Sequence, residues 1–393
     1  MIESQKTPNG YKQTEVGVIP KDWDIKRLDE IIDKFVNGGT PSTQNIFFWN
    51  GNIPWITGAD ILNQKVAEIR RHITPEAVKK SSTNVICKGN LLLVSRTGVG
   101  KLAIAPCDIA ISQDFTGIYP KKESLLAEYL FRFFDFHKTF LKNSNQGTSI
   151  QGITRETLAA FLIPLPTKTE QSAIVNTLSD IDSLIEKMET LIEKKKLIKQ
   201  GAMQELLTGK KRLPGFSSRW EVKRLGELLY YEQPTKYIVK NNEYSIRNIV
   251  PVLTAGKSFI LGYTNEEHNI FRNLPVIIFD DFTTASQFVD FPFKVKSSAM
   301  KILKPVDKYT DLRFVFCKMQ LINFKLGDHK RYWISEYQNL KIDIPNTVEQ
   351  SAIATVLSDM DAEIDKSEVE LSKYKNIKQG MMQNLLTGKI RLV

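Results

Sequence analysis

The chain contains the stretch EQSAIVNTLSDIDSLIEKMETLIEKKKLIKQGAMQELLTGKKRL at residues 170–213, and it repeats that stretch as EQSAIATVLSDMDAEIDKSEVELSKYKNIKQGMMQNLLTGKIRL at residues 349–392. The two copies align without a gap and share 27 of 44 residues. A match of that length does not arise by chance. The chain is therefore organised around one duplicated element, with different segments before and between the copies.

Each copy has the period of a coiled-coil helix. Apolar side chains recur at alternating spacings of four and three residues, the pattern by which two helices bury a common seam. A lysine interrupts both seams at the same place, Lys199 and Lys378, and such a polar residue costs stability but can fix register. Two unrelated surface helices are the alternative, although independent helices need not share that interruption. The predicted seam consists of Ile174, Leu178, Ile181, Ile185, Met188, Ile192 and Leu206, and of Ile353, Leu357, Met360, Ile364, Leu371, Tyr374, Met381 and Leu385.

The ends of both copies carry helix signals. Glu170 and Glu349 lie in the first turn, where a negative charge offsets the helix dipole. Gly209 and Gly388 follow the last apolar positions and predict the helix ends. About 36 helical residues at ~1.5 Å each predict a rod of roughly 54 Å.

Composition limits the class of protein. At 393 residues the chain exceeds one ordinary core and predicts two or three domains. With 42% hydrophobic and 25% charged residues it is a folded protein rather than a disordered one. Its three cysteines have no C-x-x-C spacing, which favours a reducing compartment and argues against structural zinc. We find no run of ~18 apolar residues and no apolar leader, so we expect a cytoplasmic protein.

The excess positive charge lies outside the repeats. Residues 1–169 carry 21 basic and 16 acidic side chains, and residues 214–348 carry 19 and 14, a net charge of +5 in each segment. The two repeats are nearly neutral. Two matched cationic segments indicate two contact surfaces for a polyanion, whereas lysine used for solubility is the alternative interpretation.

The sequence predicts an α+β protein with two globular domains, each followed by a long helix. The domains are residues 1–169 and 214–348, and the helical repeats are residues 170–213 and 349–393. Both domains open on a related entrance, DWDIKRL and RWEVKRL, and end at a similar exit, IPLP and IDIP. Short apolar runs at 90–95, 101–105, 276–279 and 299–303 predict strands, and residues 125–141 and 312–323 predict helices.

The order domain, helix, domain, helix predicts a cyclic arrangement. The second repeat ends at TGKIRLV, the point from which the first repeat continues into a globular domain. A pseudo-two-fold arrangement with an antiparallel coiled coil follows, with each domain between the end of one helix and the start of the other. A parallel pair would bring both domains to one end, and periodicity alone does not exclude it.

Catalytic signatures are absent from the sequence. The segments GVGK at 98–101 and TGK at 208–210 lack the spacing and the following Ser or Thr of a phosphate-binding loop. The four histidines are scattered and form no H-E-x-x-H. The pair Asp280 and Asp281 lacks a third carboxylate for a metal ion, and its oxygens are expected to accept hydrogen bonds from neighbouring loops or from a cytosine amino group. The sequence thus predicts no catalytic residue and no metal site.

Polar loops with glycine recur in both cationic domains. Glycine lets a backbone approach phosphates, and Arg, Lys and Gln have the donors that read base edges. Ordinary turn chemistry explains any one of these loops equally well, so the DNA interpretation depends on their clustering. The candidate DNA-contacting residues are Thr40, Ser42, Arg96, Lys101, Gln113, Ser149 and Gln151 in the first domain, and Lys257, Thr283, Thr284, Gln287, Lys296, Ser298, Lys330, Arg331 and Tyr332 in the second.

The repeat, the entrance YKQTEVGVIPKDWDIKRL and the segment NGGTPS…IPWIT at 37–57 closely resemble the specificity subunits of type I restriction-modification enzymes, along essentially the whole chain. The resemblance implies two target-recognition domains that read the halves of a bipartite, asymmetric DNA sequence, and two spacer helices that set the distance between them. It also implies docking of two methyltransferase subunits, which two ATP-driven restriction subunits can join. S-adenosylmethionine, ATP and magnesium would then belong to the partners, and this chain would bind no cofactor.

Other interpretations remain open from the residues alone. A self-contained DNA methyltransferase or nuclease would need a cofactor motif or a carboxylate constellation, and an assembly protein without DNA contact would need only the coiled coil. Apolar residues away from the seam, namely Leu184, Leu191, Ile198 and Ile377, would be covered either by helices of a partner or by the chain's own domains.

Overall fold

The computed structural model describes residues 7–143, 152–241, 243–255, 258–326 and 331–392. By its internal contacts the chain divides into two compact units. Unit 1 comprises residues 1–187 and 371–393, and unit 2 comprises residues 188–370. Each unit therefore contains one globular domain together with parts of both helical repeats.

The elements of unit 1 are short until the first long helix begins. Its strands are β1 (Tyr11–Thr14), β2 (Gly17–Pro20), β3 (Asp24–Arg27), β4 (Ile32–Asn37), β5 (Ile53–Ile56), β6 (Ile61–Leu62), β7 (Lys65–Val66), β8 (Arg71–Ile73), β9 (Asn84–Ile86), β10 (Leu91–Val94), β11 (Leu102–Ile104), β12 (Ile109–Ile111), β13 (Phe115–Pro120) and β14 (Leu162–Leu165). Its helices are α1 (Pro75–Lys80), α2 (Ala127–Phe136), α3 (Lys138–Asn143), α4 (Arg155–Ala159) and the start of α5 (Lys168–Leu206), with 3₁₀ turns at Leu28–Glu30, Ile46–Phe48 and Gly58–Asp60.

The described part of unit 2 has a smaller set of elements. Its strands are β15 (Glu221–Arg224), β16 (Leu229–Glu232), β17 (Val250–Leu253), β18 (Ile260–Thr264), β19 (Val276–Asp280), β20 (Ser286–Val289), β21 (Lys294–Val295), β22 (Met300–Pro305) and β23 (Lys341–Ile344). Its helices are α6 (Leu225–Leu228), α7 (Leu312–Gln320), α8 (Tyr332–Ser335) and the start of α9 (Thr347–Leu385), with 3₁₀ turns at Pro234–Tyr237 and Tyr337–Asn339.

The globular domains of the two units share the topology of the inner sheet, and among the described residues the outer sheet of unit 2 lacks an equivalent of β9. In unit 1 the inner sheet has the order β11-β10-β13-β4 and the outer sheet the order β8-β5-β12-β9. In unit 2 the inner sheet has the order β20-β19-β22-β16 and the outer sheet the order β18-β17-β21. In both outer sheets one pair is parallel, β5 with β12 and β17 with β21. The strand-by-strand correspondence makes β4, β10 and β13 the equivalents of β16, β19 and β22.

The inner sheet is covered on both faces, which explains why its strand β10, with the sequence LLLV, is apolar without interruption. Successive side chains of a strand point to opposite faces. Leu91 and Leu93 of β10 join a core with α2 and the long helices, whereas Leu92 and Val94 join the core between the two sheets. In unit 2, Ile277 of β19 faces the long helices in the same way. Each unit is thus layered as helices, inner sheet and outer sheet.

The two long helices run antiparallel within each unit. Each is 39 residues long, which corresponds to about 58 Å. In unit 1, Ile174 near the start of α5 shares a core with Leu385 at the end of α9. In unit 2, Leu206 at the end of α5 shares a core with Ile353 near the start of α9. These contacts rule out the parallel alternative, and every predicted seam residue is buried or half-buried.

The lysine that interrupts each seam has an aspartate partner on the opposite helix. In unit 1, Lys378 Nζ lies 2.6 Å from Asp182 Oδ1. In unit 2, Lys199 Nζ pairs with Asp361 Oδ1. Lysines and aspartates are both related by the repeat, so the same cross-helix ion pair occurs twice. A slip of either helix would separate the charges, which supports the predicted role in register.

A buried glutamate at the start of each long helix closes the junction with its domain. The indole nitrogen of Trp23 donates to Glu170 Oε2 at 2.9 Å, and Arg391 Nε donates to Glu170 Oε1 at 2.6 Å. The repeat-related contacts in unit 2 are Trp220 to Glu349 at 3.3 Å and Arg212 to Glu349 at 2.5 Å. The sequence indicated only a dipole interaction for these glutamates, whereas the structure shows that each joins three segments of its unit.

The end of the second repeat is part of unit 1. Arg391 also pairs with Asp22 at 2.7 Å, and the Tyr11 hydroxyl donates to the Gly388 carbonyl at 3.0 Å. Gly388 has φ +69°, and a Cβ at this position would lie 2.4 Å from Pro20 Cδ, so glycine is required by conformation and by space. The predicted cyclic order is thus present in unit 1, whose core contains both early and late segments of the chain.

Two predicted helices differ from the observed ones. The helix predicted at 125–141 is split at His137 into α2 and α3, and the helix predicted at 312–323 ends at Gln320. No proline or glycine marks either break, so the sequence carries no local stop signal. At the second break the Leu321 N–H bonds the Lys318 carbonyl at 3.1 Å, which tightens the last turn. The four predicted strands are present, each with slightly different bounds.

Candidate nucleic-acid interface

Four segments of unit 1 meet where β4 and β10 end and β13 begins. The Ser95 N–H donates to the Asp114 carbonyl at 2.8 Å, and the Ile153 N–H donates to the Ser95 carbonyl at 2.8 Å. The Gly38 N–H donates to the Phe115 carbonyl at 3.3 Å. We call this end of the domain the reading end of unit 1. Its loops are held to one another by backbone hydrogen bonds, so they form a defined surface.

Unit 2 has the same arrangement at the equivalent end of its inner sheet. The Asp281 N–H donates to the Ala299 carbonyl at 3.2 Å, and the Tyr332 N–H donates to the Asp281 carbonyl at 2.9 Å. Asp281 follows β19 as Ser95 follows β10, and Ala299 precedes β22 as Asp114 precedes β13. We call this the reading end of unit 2. Two loop sets of unlike sequence are thus supported by one backbone scheme.

The side chains beneath the two reading ends differ in chemistry. In unit 1 the hydroxyls of Ser95 and Thr116 are 2.8 Å apart and buried. At the equivalent positions in unit 2, Asp281 Oδ2 lies 3.5 Å from Lys301 Nζ, and both side chains are almost fully buried. Burial lowers the pKa of the Lys301 ammonium, which the negative charge of Asp281 partly opposes. The scaffold therefore accepts either a neutral or an ionic pair at this site.

Polar side chains surround an open cleft of about 510 Å³ at the reading end of unit 1. Its lining includes Arg96, Gln113 and Arg155. The Thr40 hydroxyl donates to the Gln113 amide oxygen, which joins the loop after β4 to this cleft. The close approach depends on Gly38, because a Cβ there would lie 2.1 Å from the Ser112 carbonyl oxygen. The cleft thus offers guanidinium and amide donors on a rigid support, as base and phosphate contacts require.

The structure brings together some of the residues predicted in unit 1 and separates others. Thr40, Arg96 and Gln113 are exposed around the cleft, and Ser42 is exposed on the same connection as Thr40. Lys101 is half-buried, and its Nζ donates to the Gly58 carbonyl at 2.8 Å, so its charge is used within the domain. The predicted residues Ser149 and Gln151 lie outside the described residues. Arg155 was not predicted, because a single arginine after a polar loop gives no distinguishing signal.

The residues predicted in unit 2 divide in the same way. Exposed or half-exposed at the reading end are Thr283 and Thr284 in the hairpin between β19 and β20, Ser298 next to Ala299, and Arg331 next to Tyr332. Tyr332 itself is only 2% exposed and packs against the Phe324 ring, so it supports the surface from below. Of the remaining predicted residues, Gln287 is exposed on β20. Lys296 is half-buried, and its Nζ lies 5.8 Å from the Tyr244 ring centroid. Lys257 and Lys330 lie outside the described residues.

The acidic pair at the end of β19 has a structural role. Asp280 accepts from the Phe282 N–H at 3.0 Å and from the Thr283 hydroxyl at 2.5 Å, and Asp281 accepts from the Trp333 N–H at 2.9 Å. Both side chains are buried. Of the two expected partners, neighbouring loops and a cytosine amino group, the structure supports the loops.

Two further features were sought among the described residues, a group of metal-ligating side chains and a helix that could span a membrane. Among the residues that the structure describes, no group of three His, Cys, Asp or Glu side chains is arranged to hold a metal ion. Within the same residues, every helix is too short or too polar to cross a lipid bilayer.

Comparison with known proteins identifies a family. The model of the type I restriction modification DNA specificity domain matches residues 20–196 and again residues 217–373. The chain is 51% identical over 148 residues to the type I restriction enzyme EcoR124I/EcoR124II specificity subunit of Escherichia coli, a match that spans 36% of each protein. It is 28% identical to the MjaIX specificity subunit of Methanocaldococcus jannaschii, over 97% of this chain and 96% of that protein.

Solved structures show the same fold. The S subunit of a type I restriction-modification system from M. genitalium has a TM-score of 0.63 at 16% identity, covering 97% of this chain and 98% of that one. A chain from a structure of a type I restriction-modification system, solved to describe complex assembly and conformational transition, has a TM-score of 0.56 at 17% identity and covers 95% of this chain and 99% of that one.

Proposed function

Because the chain belongs to the type I restriction-modification DNA specificity family, we propose that its two reading ends recognise the two halves of one bipartite, asymmetric DNA target. As a specificity subunit it is a DNA-recognition component and not itself an enzyme. The observation that carries the proposal is the recurrence of one braced loop scheme in two units whose loop side chains differ. The same backbone support with unlike readers favours two unlike half-sites.

The charge distribution supports affinity for a duplex. Each globular segment carries a net charge of +5, whereas the repeats are nearly neutral. Arg96, Arg155 and Arg331 are exposed at the reading ends. Phosphate contacts of this kind provide sequence-independent affinity that falls with salt, and amide and hydroxyl groups at base edges provide specificity. The alternative interpretation, an assembly protein without DNA contact, does not explain why the positive charge is confined to the globular domains.

The exposed apolar residues of the long helices support docking of partners. Leu184, Leu191, Ile198 and Ile377 are between 37% and 53% exposed, so the chain's own domains leave much of their surface uncovered. Of the two alternatives for these residues, the exposure favours helices of a partner subunit. Ile198 and Ile377 are related by the repeat, so each long helix offers one of these apolar positions. We propose that two methyltransferase subunits dock on the helices, with two restriction subunits able to join.

The cofactors are proposed to belong to the partners. S-adenosylmethionine would bind the methyltransferase subunits, and ATP and magnesium would bind the restriction subunits. This chain would contribute target choice and spacing. We propose that the complex acts in the cytoplasm, where its DNA substrate lies.

A methylome tests the proposal directly. The chain is co-expressed with its methyltransferase subunits, and methylated positions are mapped by long-read sequencing. We expect one bipartite motif with unlike halves and a fixed gap. A single continuous or palindromic motif would contradict the two-reader proposal, and methyl transfer by the purified chain alone would revive the interpretation as a self-contained enzyme.

A further inference from the structure

Two arginines lie where the outer sheet adjoins the reading end of unit 1. The strand β12 leads through residues 112–114 into β13, so its last residue lies beside the reading end. The strand β5 is parallel to β12 and ends there too, whereas β8 is antiparallel to β5 and begins there, with Arg71 opposite Trp55. Arg71 and its neighbour Arg70 are thus placed beside the loops of the reading end.

Side-chain contacts tie this corner of the outer sheet to the cleft. Trp55 Nε1 donates to the Gly39 carbonyl at 3.1 Å, and the guanidinium carbon of Arg71 lies 4.6 Å from the centroid of the Trp55 ring. Gly39 is followed by Thr40, whose hydroxyl donates to the Gln113 amide oxygen at the cleft. Arg71 therefore shares its support with a residue of the cleft.

A buried carboxylate holds both arginines. Asp60 Oδ1 accepts from Arg70 Nη2 at 3.2 Å, and Asp60 Oδ2 accepts from Arg71 Nη2 at 3.1 Å. The Asp60 side chain is 3% exposed, whereas those of Arg70 and Arg71 are 68% and 44% exposed. Burial raises the pKa of the Asp60 carboxyl, but hydrogen bonds from Thr57 and Arg70 outweigh burial and hold that pKa below its ordinary value of 3.8. The carboxylate is therefore charged at neutral pH and keeps two like-charged groups together.

Both guanidiniums keep donors for a ligand. A guanidinium has five N–H donors. Within the residues that the structure describes, the hydrogen bonds of Arg70 and Arg71 all come from Nη2, to Asp60 and to the Thr57 hydroxyl. Nε and Nη1 of each arginine are left for a ligand, and two positive side chains with one negative side chain leave a net charge of +1.

These donors suit a phosphate better than a base edge. In Arg71, Nη2 already donates to both Asp60 and Thr57. Both edges of a guanidinium that present two parallel donors include Nη2, so Arg71 is not free for the bidentate contact by which arginine reads guanine. A phosphate diester carries one negative charge and accepts single hydrogen bonds from several directions, which matches the donors that remain.

We propose that Arg70 and Arg71 form a phosphate clamp, which binds one backbone phosphate of the half-site read by unit 1, and that Asp60 positions both arginines. This inference rests on the proposed function. The carboxylate lowers the positive charge of the reading end, which by charge alone weakens the attraction to DNA. In return it fixes two guanidiniums side by side, so less side-chain freedom is lost when the phosphate binds.

The affinity of the complete complex with its methyltransferase subunits, measured by fluorescence anisotropy over a salt series, tests the clamp. We expect Arg71→Gln to weaken binding roughly tenfold, both to a duplex with the recognised motif and to one without it. The slope of log K against log salt should become shallower by about 1. Adding Arg70→Gln should change that slope little, because both arginines hold the same phosphate. The methylome of either variant should show an unchanged motif.

Duplexes with a single neutral methylphosphonate locate the contact. One substituted position at the half-site of unit 1 should weaken binding by the wild type roughly tenfold. The variant with both Arg70→Gln and Arg71→Gln should bind that duplex as well as it binds the unmodified one, because the contact is already lost.

The change Asp60→Asn tests positioning against simple charge. It removes a negative charge from the reading end, so charge alone predicts tighter binding to DNA. We expect weaker binding, because an asparagine oxygen still accepts the hydrogen bonds from Thr57 but no longer holds two guanidiniums together. In the variant with both Arg70→Gln and Arg71→Gln, adding Asp60→Asn should have no further effect. A purely structural role of Asp60 would instead weaken binding in both backgrounds.

Arg27 provides the matched control. It is an exposed arginine of the same unit and pairs with Asp29 at 2.9 Å. It lies shortly before the start of β4, whereas the reading end lies where β4 ends. Arg27→Gln should therefore leave the affinity, the salt slope and the motif unchanged.

The outcomes separate this inference from the function on which it rests. If the wild-type complex does not retain a duplex, the proposed function fails and the clamp with it. If the wild type binds and the double arginine variant keeps its affinity and salt slope, the clamp is overturned and the proposed function stands. Degeneracy at one base of the motif would also overturn the clamp, because the arginines would then read a base edge. Tighter binding by Asp60→Asn would refute the positioning role.

Discussion

The buried Glu170 carboxylate is the residue on which the junction of unit 1 depends. We expect Arg391→Ala to lower the free energy of unfolding of unit 1 by about 3 kcal/mol, because it leaves a buried charge without its main partner. Urea denaturation monitored by tryptophan fluorescence measures this. Arg212→Ala is the matched change in unit 2, where it should act on Glu349. An unfolding midpoint unaffected by Arg391→Ala would show that the ion pair is not needed for the junction.

Acid should weaken the same junction. Burial raises the pKa of the Glu170 carboxyl, but hydrogen bonds from Arg391 and Trp23 outweigh burial and hold that pKa below its ordinary value of 4.5. A carboxyl with a lowered pKa in the folded state stabilises the fold above its unfolded pKa, and this contribution disappears as pH falls through the folded pKa. We therefore expect the stability difference between wild type and Glu170→Gln to be full at pH 7 and to shrink below about pH 4.5. Urea midpoints measured from pH 7 to pH 3 test the direction.

The buried ionic pair of unit 2, Asp281 with Lys301, can be replaced by the neutral pair found at the equivalent site of unit 1. We expect Asp281→Ser alone to destabilise unit 2 by about 3 kcal/mol, because the Lys301 ammonium stays buried without its partner. The double change Asp281→Ser, Lys301→Thr reproduces the pair Ser95 and Thr116 of unit 1, and it should return stability to within about 1 kcal/mol of wild type. Chemical denaturation of both variants checks this. A double variant as unstable as the single one would contradict the equivalence of the two sites.

Single residues show where sequence reasoning stops. The seam was predictable because its period is set by helix geometry, and Lys199 was recognised because it breaks that period in both copies. The joint role of Trp23, Glu170 and Arg391 was not predictable from the sequence, because the three residues are far apart in the chain and only the fold brings them together. Residue type makes Lys101 and Tyr332 candidate DNA contacts, whereas their burial depends on neighbours that a loop sequence does not reveal.

At the scale of elements, the long helices should act as a ruler. Removing residues 189–195 together with residues 368–374 deletes one heptad from each helix and keeps the cross-helix pairs of Asp182 and Asp361 with their lysines. Each helix shortens by about 10 Å. We expect the gap of the recognised sequence to shorten by about three base pairs while both half-sites stay the same. Methylation should also become slower, because the same change in DNA length alters the twist between the half-sites.

The methylome of the deletion variant provides the measurement. Deleting the heptad from α5 alone is the control, and it should cost stability rather than give a new gap, because the ion pairs lose their common register. A paired deletion that leaves the gap unchanged would refute the ruler.

The sequence predicts some secondary-structure elements better than others. The existence of the helices α5 and α9 follows from more than thirty residues of consistent period. Their antiparallel pairing is predicted by the order of the domains, because the period alone also allows a parallel pair. The outer sheet was not, because strands of three or four residues such as β8 and β12 carry too short a pattern. The break at His137 lacks proline and glycine, so it depends on tertiary packing alone.

At the scale of the whole molecule, the two cationic domains should share the binding of phosphates. We expect Arg96→Gln with Arg155→Gln in unit 1, or Arg331→Gln in unit 2, to weaken binding to any duplex. The slope of log K against log salt should become shallower by about 1 for each phosphate that the variant no longer neutralises. Fluorescence anisotropy over a salt series measures the slope. Lys101→Gln is the control, because that amine is used within its own domain. Unchanged retention of DNA after all three arginine changes would favour the assembly protein without DNA contact.

The composition of unit 1 has a consequence for how the protein is made. Met382, Leu385, Leu386 and Arg391 complete the core and junction of unit 1, yet the ribosome adds them after all of unit 2. At 5–20 residues per second, synthesis of residues 188–370 takes on the order of ten to forty seconds. Throughout that interval the core of unit 1 that faces the long helices lacks the end of α9. Its apolar side chains are therefore exposed and need protection from aggregation. In a nascent chain that ends before residue 380, unit 2 would already have the end of α5 and the start of α9 that its core requires. Unit 1 would still lack the last turns of α9.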